Sequence, residues 1–401
     1  MSLTVQKFGG SCISDIEGIK NAAKIITEEY SAGNSVIAVV SAQGNTTDML
    51  IEKACGVCRK PSKRELDVLM SAGEQIAVSL LSMAVQELGF PCVSLLGWQA
   101  QIKTNSVYGS ARVKKIDSDR IKKELEKKNI VVIAGFQGVN KNGDMTTLGR
   151  GGSDTTAVAV AAALNAGKCQ IFSVIDGIYT ADPEIIDDAV KIDEISYDAM
   201  QELSFLGVKV LNSRAVELAK KYGVPLEVKS AFKNTAGTLV KENVRLEKML
   251  ISGVTKTSNI AKITVCGIDN VPGAVFKIFG LLSKEDINTD IILQSLNKDG
   301  KVDVSFTVHG DSADDAETIL RNSGEYSEKA IISDKNVAKV SVVGAGMESH
   351  PGVASAVFEA LSDNEINILM ISSSEMRLSV VVEREKADEA VKVIHKRFLQ
   401  H

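Results

Sequence analysis

Thr146-Thr147-Leu148-Gly149-Arg150-Gly151-Gly152-Ser153-Asp154 is the stretch on which the reading of this chain turns. Three glycines, two threonines and a serine share nine positions with one arginine and one aspartate. An Ala/Val-rich run, Thr155 to Ala166, follows and stops at Gly167, which is a helix pattern. A glycine-rich turn that feeds a helix start exposes backbone N–H groups at the positive end of the helix dipole, and such a place favours anions. Arg150 adds a planar fork suited to carboxylate or phosphate. The stretch therefore handles small anions.

Working outward, the segments on either side alternate in type. Strand-like runs are Leu3–Phe8, Ser35–Ser41, Ile130–Phe136, Cys169–Ile175 and Leu226–Ser230. Helix-like runs between them are Ile16–Ser31, Glu65–Leu88, Ser118–Lys128, Asp154–Leu164 and Ser213–Tyr222. This alternation predicts an α/β fold, a mainly parallel sheet covered by helices on both faces, with ligands at the carboxyl ends of the strands.

The last part carries an internal repeat. VCGIDNVPGAVFKIFGLLSKEDINTDII around Pro272 returns as VVGAGMESHPGVASAVFEALSDNEINILMI around Pro351. Pro, Gly, Phe, Leu, Ile and Asn recur at a constant offset (272/351, 273/352, 279/358, 282/361, 287/366, 288/367). Two copies are too few for a solenoid and read as paired α+β modules, each with a helix opened by Pro–Gly. The predicted division is 1–235 and 236–401, with modules at about 260–332 and 333–401, the second completed by a strand near 250–257.

Composition narrows the function. The 401 residues carry a net charge of -5, so a nucleic-acid footprint is not expected. The opening MSLTVQKFGG has no apolar leader and no long apolar run follows, so neither secretion nor a membrane span is expected. Six scattered cysteines, with one CxxC at Cys55 and Cys58 and no nearby histidine, predict free thiols in a reducing cytoplasm and no metal site. All four histidines (309, 350, 395 and 401) fall in the last quarter. Histidine acid–base chemistry is thereby excluded from the first three hundred residues unless a distant domain reaches over.

Other strand ends repeat the small-residue signature. Lys7-Phe8-Gly9-Gly10-Ser11 suits a phosphate, or is a plain strand-to-helix turn. Ser41, Thr47 and Asp48 sit in a hydroxyl-rich loop that also reads as a helix cap. Glu74, in Ser71-Ala72-Gly73-Glu74, is either an ammonium receptor or a solvated glutamate. Gly135-Phe136-Gln137-Gly138 leads by an Asn142-Gly143-Asp144 hairpin into the opening stretch. Ser173 to Pro183 places Tyr179 and Asp182 beside a nucleotide, or forms a surface turn. No GxxxxGK[ST], HRD or DFG is present. Taken together, these ends point to one anionic site with Lys7 and Arg150. Phosphoryl transfer to a carboxylate fits it, because an ionised acceptor needs no general base.

KFGG at 7–10, VVSA at 39–42, TTD at 46–48, SAGE at 71–74, GFQG at 135–138, TTLGRGGSDTTA at 146–157, DGIYTADP at 176–183 and KV at 209–210 resemble the aspartate kinases, in that family's order and over essentially the whole chain. KFGG alone is shared across the wider amino-acid kinase family, and the repeats are similar to its tandem ACT domains. The resemblance implies a three-layer amino-acid kinase sandwich followed by two ACT-like modules. It implies ATP-dependent phosphorylation of the β-carboxylate of L-aspartate with Mg²⁺, the first step toward lysine, threonine, methionine and isoleucine. An amino-acid-sensing paralogue with weakened catalysis, or another amino-acid kinase, is the alternative. Carried over by position, Lys7, Gly9, Gly10 and Ser11 meet the transferred phosphate and Asp154 lines the reacting centre with Ser41. Arg150 holds the aspartate α-carboxylate, Glu74 takes its ammonium, and Thr47, Phe136 and Ser153 complete the substrate side. Ser173, Tyr179, Asp182 and Lys209 belong to the nucleotide, and Asp269 and Gln294 to an effector such as lysine or threonine. A homodimer or higher homo-oligomer through the ACT-like modules is also implied. Departures from the family pattern fall at Ser11-Cys12, Ser173-Val174, Glu184, Asn212-Ser213 and Lys229. Most lie on the nucleotide side, where glutamate for arginine at 184 predicts an altered nucleotide affinity.

Overall fold

In the computed structural model, residues 2–208, 210–242, 251–326, 330–344, 347 and 352–399 are described. Two compact units divide the chain: Met1–Ile178 with Lys191–Leu246, and Tyr179–Val190 with Glu247–His401.

The first unit is built on an eight-stranded sheet. Its order is Cys92–Leu95, Ile130–Ala134, Ser35–Val40, Leu3–Phe8, Lys168–Ser173, Leu226–Ser230, Thr238–Lys241 and Glu194–Ser196. The pairings from Cys92–Leu95 through Leu226–Ser230 are parallel, and the first antiparallel one is Leu226–Ser230 with Thr238–Lys241. Ile130–Ala134 is buried at every residue and Ser35–Val40 at all but the first, as strands covered on both faces must be. On one face Val36, Ala38 and Val40 pack against Ile19, Ala23 and Ile26 of helix Ile16–Ser31 and against Val78, Leu81 and Val85 of helix Lys63–Glu87. Helix Gly152–Ala163 packs on the same central strands with helix Ser213–Tyr222 beside it, which completes three layers. Caps fix the helix starts: Asp15 accepts from the Gly18 N–H, Ser62 from Glu65 and Asn212 from Arg214.

Helix Lys63–Glu87 is long and apolar enough by length and composition to cross a membrane, but half of that stretch is buried in the protein. With Asp67 and Glu74 both buried along it, it is a core helix. A smaller sheet, Val113–Ile116, Ile102–Thr104, Gln137–Val139 and Met145–Thr147, supplies a strand that runs straight into the opening stretch. All six cysteines are free thiols.

The second unit has one six-stranded sheet, in the order Thr289–Leu296, Lys301–His309, Gly253–Asp269, Ile331–Val343, Arg377–Glu383 and Met370–Ser373. Gly253–Asp269 serves both repeats. Gly253–Thr257 pairs with Lys339–Val343, while Ile260–Asp269 pairs with Lys301–His309. Helices Ala274–Lys284 and Ala313–Asn322 cover the first core, around Ile263, Ile278 and Phe306. Helices Val353–Ser362 and Ala387–Leu399 cover the second, around Val340, Leu361 and Ile394. Ala181 and Ile186 of the early segment sit in that second core, and Thr180 meets the buried His395 ring at 2.9 Å. Burial lowers the His395 pKa.

The repeat helices correct one expectation. Proline does not open the first of them: Gly273 is its N-cap at φ 92°, as Gly352 is for the second at φ 111°, conformations that suit glycine. Pro351 lies outside the described residues. The left-handed turn after each repeat helix falls just before the shared Ile-Asn pair (287/288 and 366/367). Asp286 (φ 57°) and Glu365 (φ 55°) adopt it.

Candidate active site

Parallel pairing aligns the carboxyl ends of the central strands. Lys7 stands in register with Val39 on one side and Ile171 on the other, and Val40 with Ala134. The loops that follow, from Gly9, Ser41, Gly135 and Ser173, therefore leave the sheet along one edge.

Close approaches among these loops explain their glycines. A Cβ on Gly10 would lie 2.5 Å from the Ala42 carbonyl oxygen, and the Gly44 N–H donates to Gly10 O at 3.0 Å. A Cβ on Gly73 would meet the Ala42 Cβ at 2.7 Å, so this glycine lets helix Lys63–Glu87 press against the same loop. Gly135 would in the same way strike Ser153 Cβ at 2.7 Å. Phe136 is held at φ 65°, its N–H donating to Thr156 and its carbonyl accepting from Leu148. A bulky residue at positive φ is a strained arrangement of the kind found at functional sites.

Four charged groups stand on this edge. Lys7 Nζ lies 2.7 Å from Asp154 Oδ1, with side chains only 12% and 7% exposed. The pair is close but not aligned as a hydrogen bond, so Oδ1 keeps accepting capacity. Asp154 Oδ2 accepts from the Asn212 N–H at 3.1 Å. Glu74 is 3% exposed, and one of its oxygens accepts from the Ala42 N–H at 2.9 Å. Its other oxygen is buried without a partner. Burial pushes the Glu74 carboxyl up to about 7, against the opposing hydrogen bond from Ala42. A buried carboxylate with an unused oxygen is built to receive a cation. Arg150 is exposed in the turn before helix Gly152–Ala163, and its guanidinium takes part in no ion pair among the described residues.

Glu74 gives a testable pH effect. Between the ordinary value of 4.5 and about 7 the folded chain holds a proton that the unfolded chain has released. The associated stability is full below pH 4.5 and lost as pH rises to about 7. Glu74→Gln should therefore unfold at a higher temperature than the parent at pH 8 and at nearly the same temperature at pH 4.5. The gain is up to about 3 kcal/mol at about 1.4 kcal/mol per pKa unit. Thermal denaturation at the two pH values checks it, and an equal shift at both would show that the raised carboxyl is not its source.

Ser41 and Thr47 lie half-buried on either side of Ala42–Asn45, and Ser153 is buried in the first turn of its helix. Ser11 is exposed in the short turn Gly10–Ile13, above the buried Cys12. Ser173 ends its strand, its carbonyl accepting from Ala231. Tyr179 and Asp182 belong to the second unit, where Asp182 accepts from the Glu184 N–H in a local turn. Lys209 lies outside the described residues. Asp269 and Gln294 are both exposed in the second unit, at register positions Lys301 and Val304 of the strand between them.

Two residues take supporting roles that the sequence reading did not give them. Asp67 is fully buried and accepts from the Thr147 N–H and hydroxyl and from the Gly109 N–H, which holds the start of the opening stretch. It lies seven residues before Glu74, on the same helix face, and an acid in an apolar helix was its signal. Asn212 donates from its amide side chain to the Arg150 carbonyl at 2.9 Å, besides holding Asp154. This departure from the family pattern thus anchors the turn from the far side.

The amino acid kinase family matches residues 2–230, and an ACT domain matches 340–398. The chain is 44% identical over 400 residues to an aspartokinase of Bacillus sp. (strain MGA3), covering 99% of this chain and 97% of that one. It is 45% identical over 403 residues to an aspartate kinase of Pseudomonas fluorescens (strain SBW25), at 99% and 98% coverage. The solved structure of E. coli aspartokinase III in complex with lysine and aspartate (T-state) superposes with a TM-score of 0.79 at 25% identity, covering 99% of this chain and all (100%) of that one. The chain belongs to the amino acid kinase family and, within it, to the aspartate kinases.

Proposed function

We propose that this chain transfers the γ-phosphoryl group of ATP to the β-carboxylate of L-aspartate, giving 4-phospho-L-aspartate and ADP, at the edge that holds Lys7, Glu74, Arg150 and Asp154. The observation that carries the residue assignment is the buried, unpartnered oxygen of Glu74 on the same sheet edge as the Lys7–Asp154 pair. One carboxylate awaits an ammonium group, and one ammonium is poised for phosphate. Arg150 then takes the substrate α-carboxylate as a bidentate partner.

The β-carboxylate is ionised at neutral pH, so its oxygen attacks the γ-phosphorus without losing a proton. The bond from phosphorus to the bridging oxygen breaks, and ADP leaves with that electron pair. Lys7 offsets the charge on the transferring group, and Asp154 holds Lys7 in place. Ser41, Thr47, Phe136 and Ser153 border the substrate; Gly9, whose own N–H donates to the Phe172 carbonyl, lies against Lys7 Nζ, and Gly10 and Ser11 offer backbone N–H groups to the phosphate. Ser173, Tyr179, Asp182 and Lys209 are assigned to the nucleotide. Mg²⁺ supplies neutralisation of the polyphosphate when bound. No cluster of three metal-binding side chains occurs among the described residues. Asp154, with its free accepting capacity, is the carboxylate suited to an ion carried mainly by phosphates.

The repeated modules take lysine or threonine as feedback effectors, with Asp269 and Gln294 as contacts. The exposed Ile292, Leu293 and Leu296 on the edge strand Thr289–Leu296 support a homodimer through this edge. Six free thiols suit a reducing cytoplasm.

A hydroxylamine-trapping assay tests the reaction. With ATP, Mg²⁺ and L-aspartate the chain should form aspartyl hydroxamate, and neither L-glutamate nor N-acetyl-L-glutamate should replace aspartate. No hydroxamate at saturating ATP, with lysine or threonine still bound, would instead make the chain an amino-acid sensor.

A further inference from the structure

A cavity of about 1080 Å³ opens on the four-stranded sheet of the first unit, and none of the catalytic candidates lines it. Its charge is one-sided. Lys103, Lys114, Lys115 and Lys141 line it, and no aspartate or glutamate does. None of the four takes part in an ion pair among the described residues. Asp144, on the same hairpin as Lys141, is already engaged by Arg64 at 3.0 Å and by the Tyr108 hydroxyl at 2.8 Å.

The backbone concentrates this charge. Lys103 of strand Ile102–Thr104 sits directly opposite Lys115 of strand Val113–Ile116. Like charges facing each other across an antiparallel pair destabilise it. The register then slips, Lys103 pairing with Lys115 and Thr104 with Val113, so Lys114 is the extra residue of a bulge. Adjacent strand residues point to opposite faces, yet Lys114 and Lys115 both line the cavity. A bulge re-aims a side chain in this way. Parallel pairing of Lys103 with Val139 brings the Lys141 hairpin alongside. The chain's single tryptophan, Trp98, also lines the cavity and is 48% exposed.

We infer that this cavity is a second anion site, separate from the catalytic edge, that takes a small molecule bearing a di- or triphosphate group. A compact multivalent anion relieves the repulsion between Lys103 and Lys115, and its charge matches four lysines better than a single carboxylate does.

Trp98 is the only indole in the chain and reports the site directly. Inorganic tripolyphosphate titrated into the full chain at low ionic strength should change Trp98 fluorescence saturably. Added salt should weaken the response, because the lysines are solvent-facing. The double variant Lys103→Thr, Lys115→Thr should weaken binding about tenfold or more. It should also unfold at a higher temperature than the parent when no anion is present, which shows that it folds. Lys7→Met, which removes the ammonium at the catalytic edge, should keep the full response. ATP titrated into Lys7→Met separates the sources: binding tighter than tripolyphosphate assigns a nucleotide with its base on Trp98, and equal binding assigns the phosphate chain alone. A response absent in the parent, unchanged in the double variant or lost in Lys7→Met overturns the inference. So does a double variant that alters the sedimentation coefficient of a parent with no fluorescence response, since the cavity would then be a contact between copies.

Discussion

Lys7→Met should lower kcat for aspartyl phosphate formation about a thousandfold or more, at the upper end of the effect of removing one charge-stabilising donor. The Lys7 side chain is 12% exposed and its ammonium lies 2.7 Å from Asp154, so the field it exerts on a transferring phosphoryl group is little weakened by water. A second effect adds to the first. Methionine leaves Asp154 as a buried carboxylate without its cation, which repels the incoming polyphosphate. The KM for aspartate should change only a few-fold, because the substrate's own charged groups are held elsewhere. Steady-state kinetics with ADP release as the readout decides the matter. A variant that keeps a tenth of the parent kcat would remove Lys7 from the reacting centre.

Arg150→Ala should act on the other substrate parameter. Its guanidinium is exposed and joins no ion pair among the described residues, so it is available to a ligand carboxylate. Losing a bidentate hydrogen bond to a charged group costs about 3 kcal/mol, which is roughly a hundredfold in the KM for aspartate. The KM for ATP should stay within a few-fold, and the melting temperature should hardly move, because no folded contact is lost. Arg150→Lys should recover only part of the loss, since an ammonium lacks the planar fork. Equal increases in both KM values would show that Arg150 does not discriminate between the two substrates.

What could be read beforehand follows physical lines. Leu3–Phe8, Ile16–Ser31, Ser213–Tyr222 and Leu226–Ser230 stand where the patterns place them, because each has an apolar stripe or run closed by a turn residue. Helix Thr46–Val57 left only the cap reading at Thr47 and Asp48 in the sequence, because it buries no residue and no apolar period marks its length. Strand Cys92–Leu95 is a short edge strand with three of its four residues only half-buried, which leaves no alternation to see. On the catalytic edge, residues carried by glycine-rich strand ends were legible one loop at a time. Asn212 and Arg214 were not: they reach the Arg150 and Leu148 carbonyls across more than sixty positions of sequence (150/212, 148/214). The Pro–Gly pairs marked the right place with the wrong geometry, since helix entry there needs a positive φ and only the glycine provides it.

The early segment Tyr179–Val190 has a consequence for anyone who wishes to take the protein apart. Its Ala181 and Ile186 fill the core of the second repeat, and Thr180 closes over His395. A gene fragment starting at Glu247 encodes every strand and helix of the second unit's six-stranded sheet, yet it leaves a hole where those two side chains belong. The complementary fragment, ending at Leu246, carries the apolar strap orphaned in its interior. Since the chain crosses between units at three points (178/179, 190/191 and 246/247), no single stop codon yields two finished pieces. Each half must be expressed with the other, or with the strap grafted back.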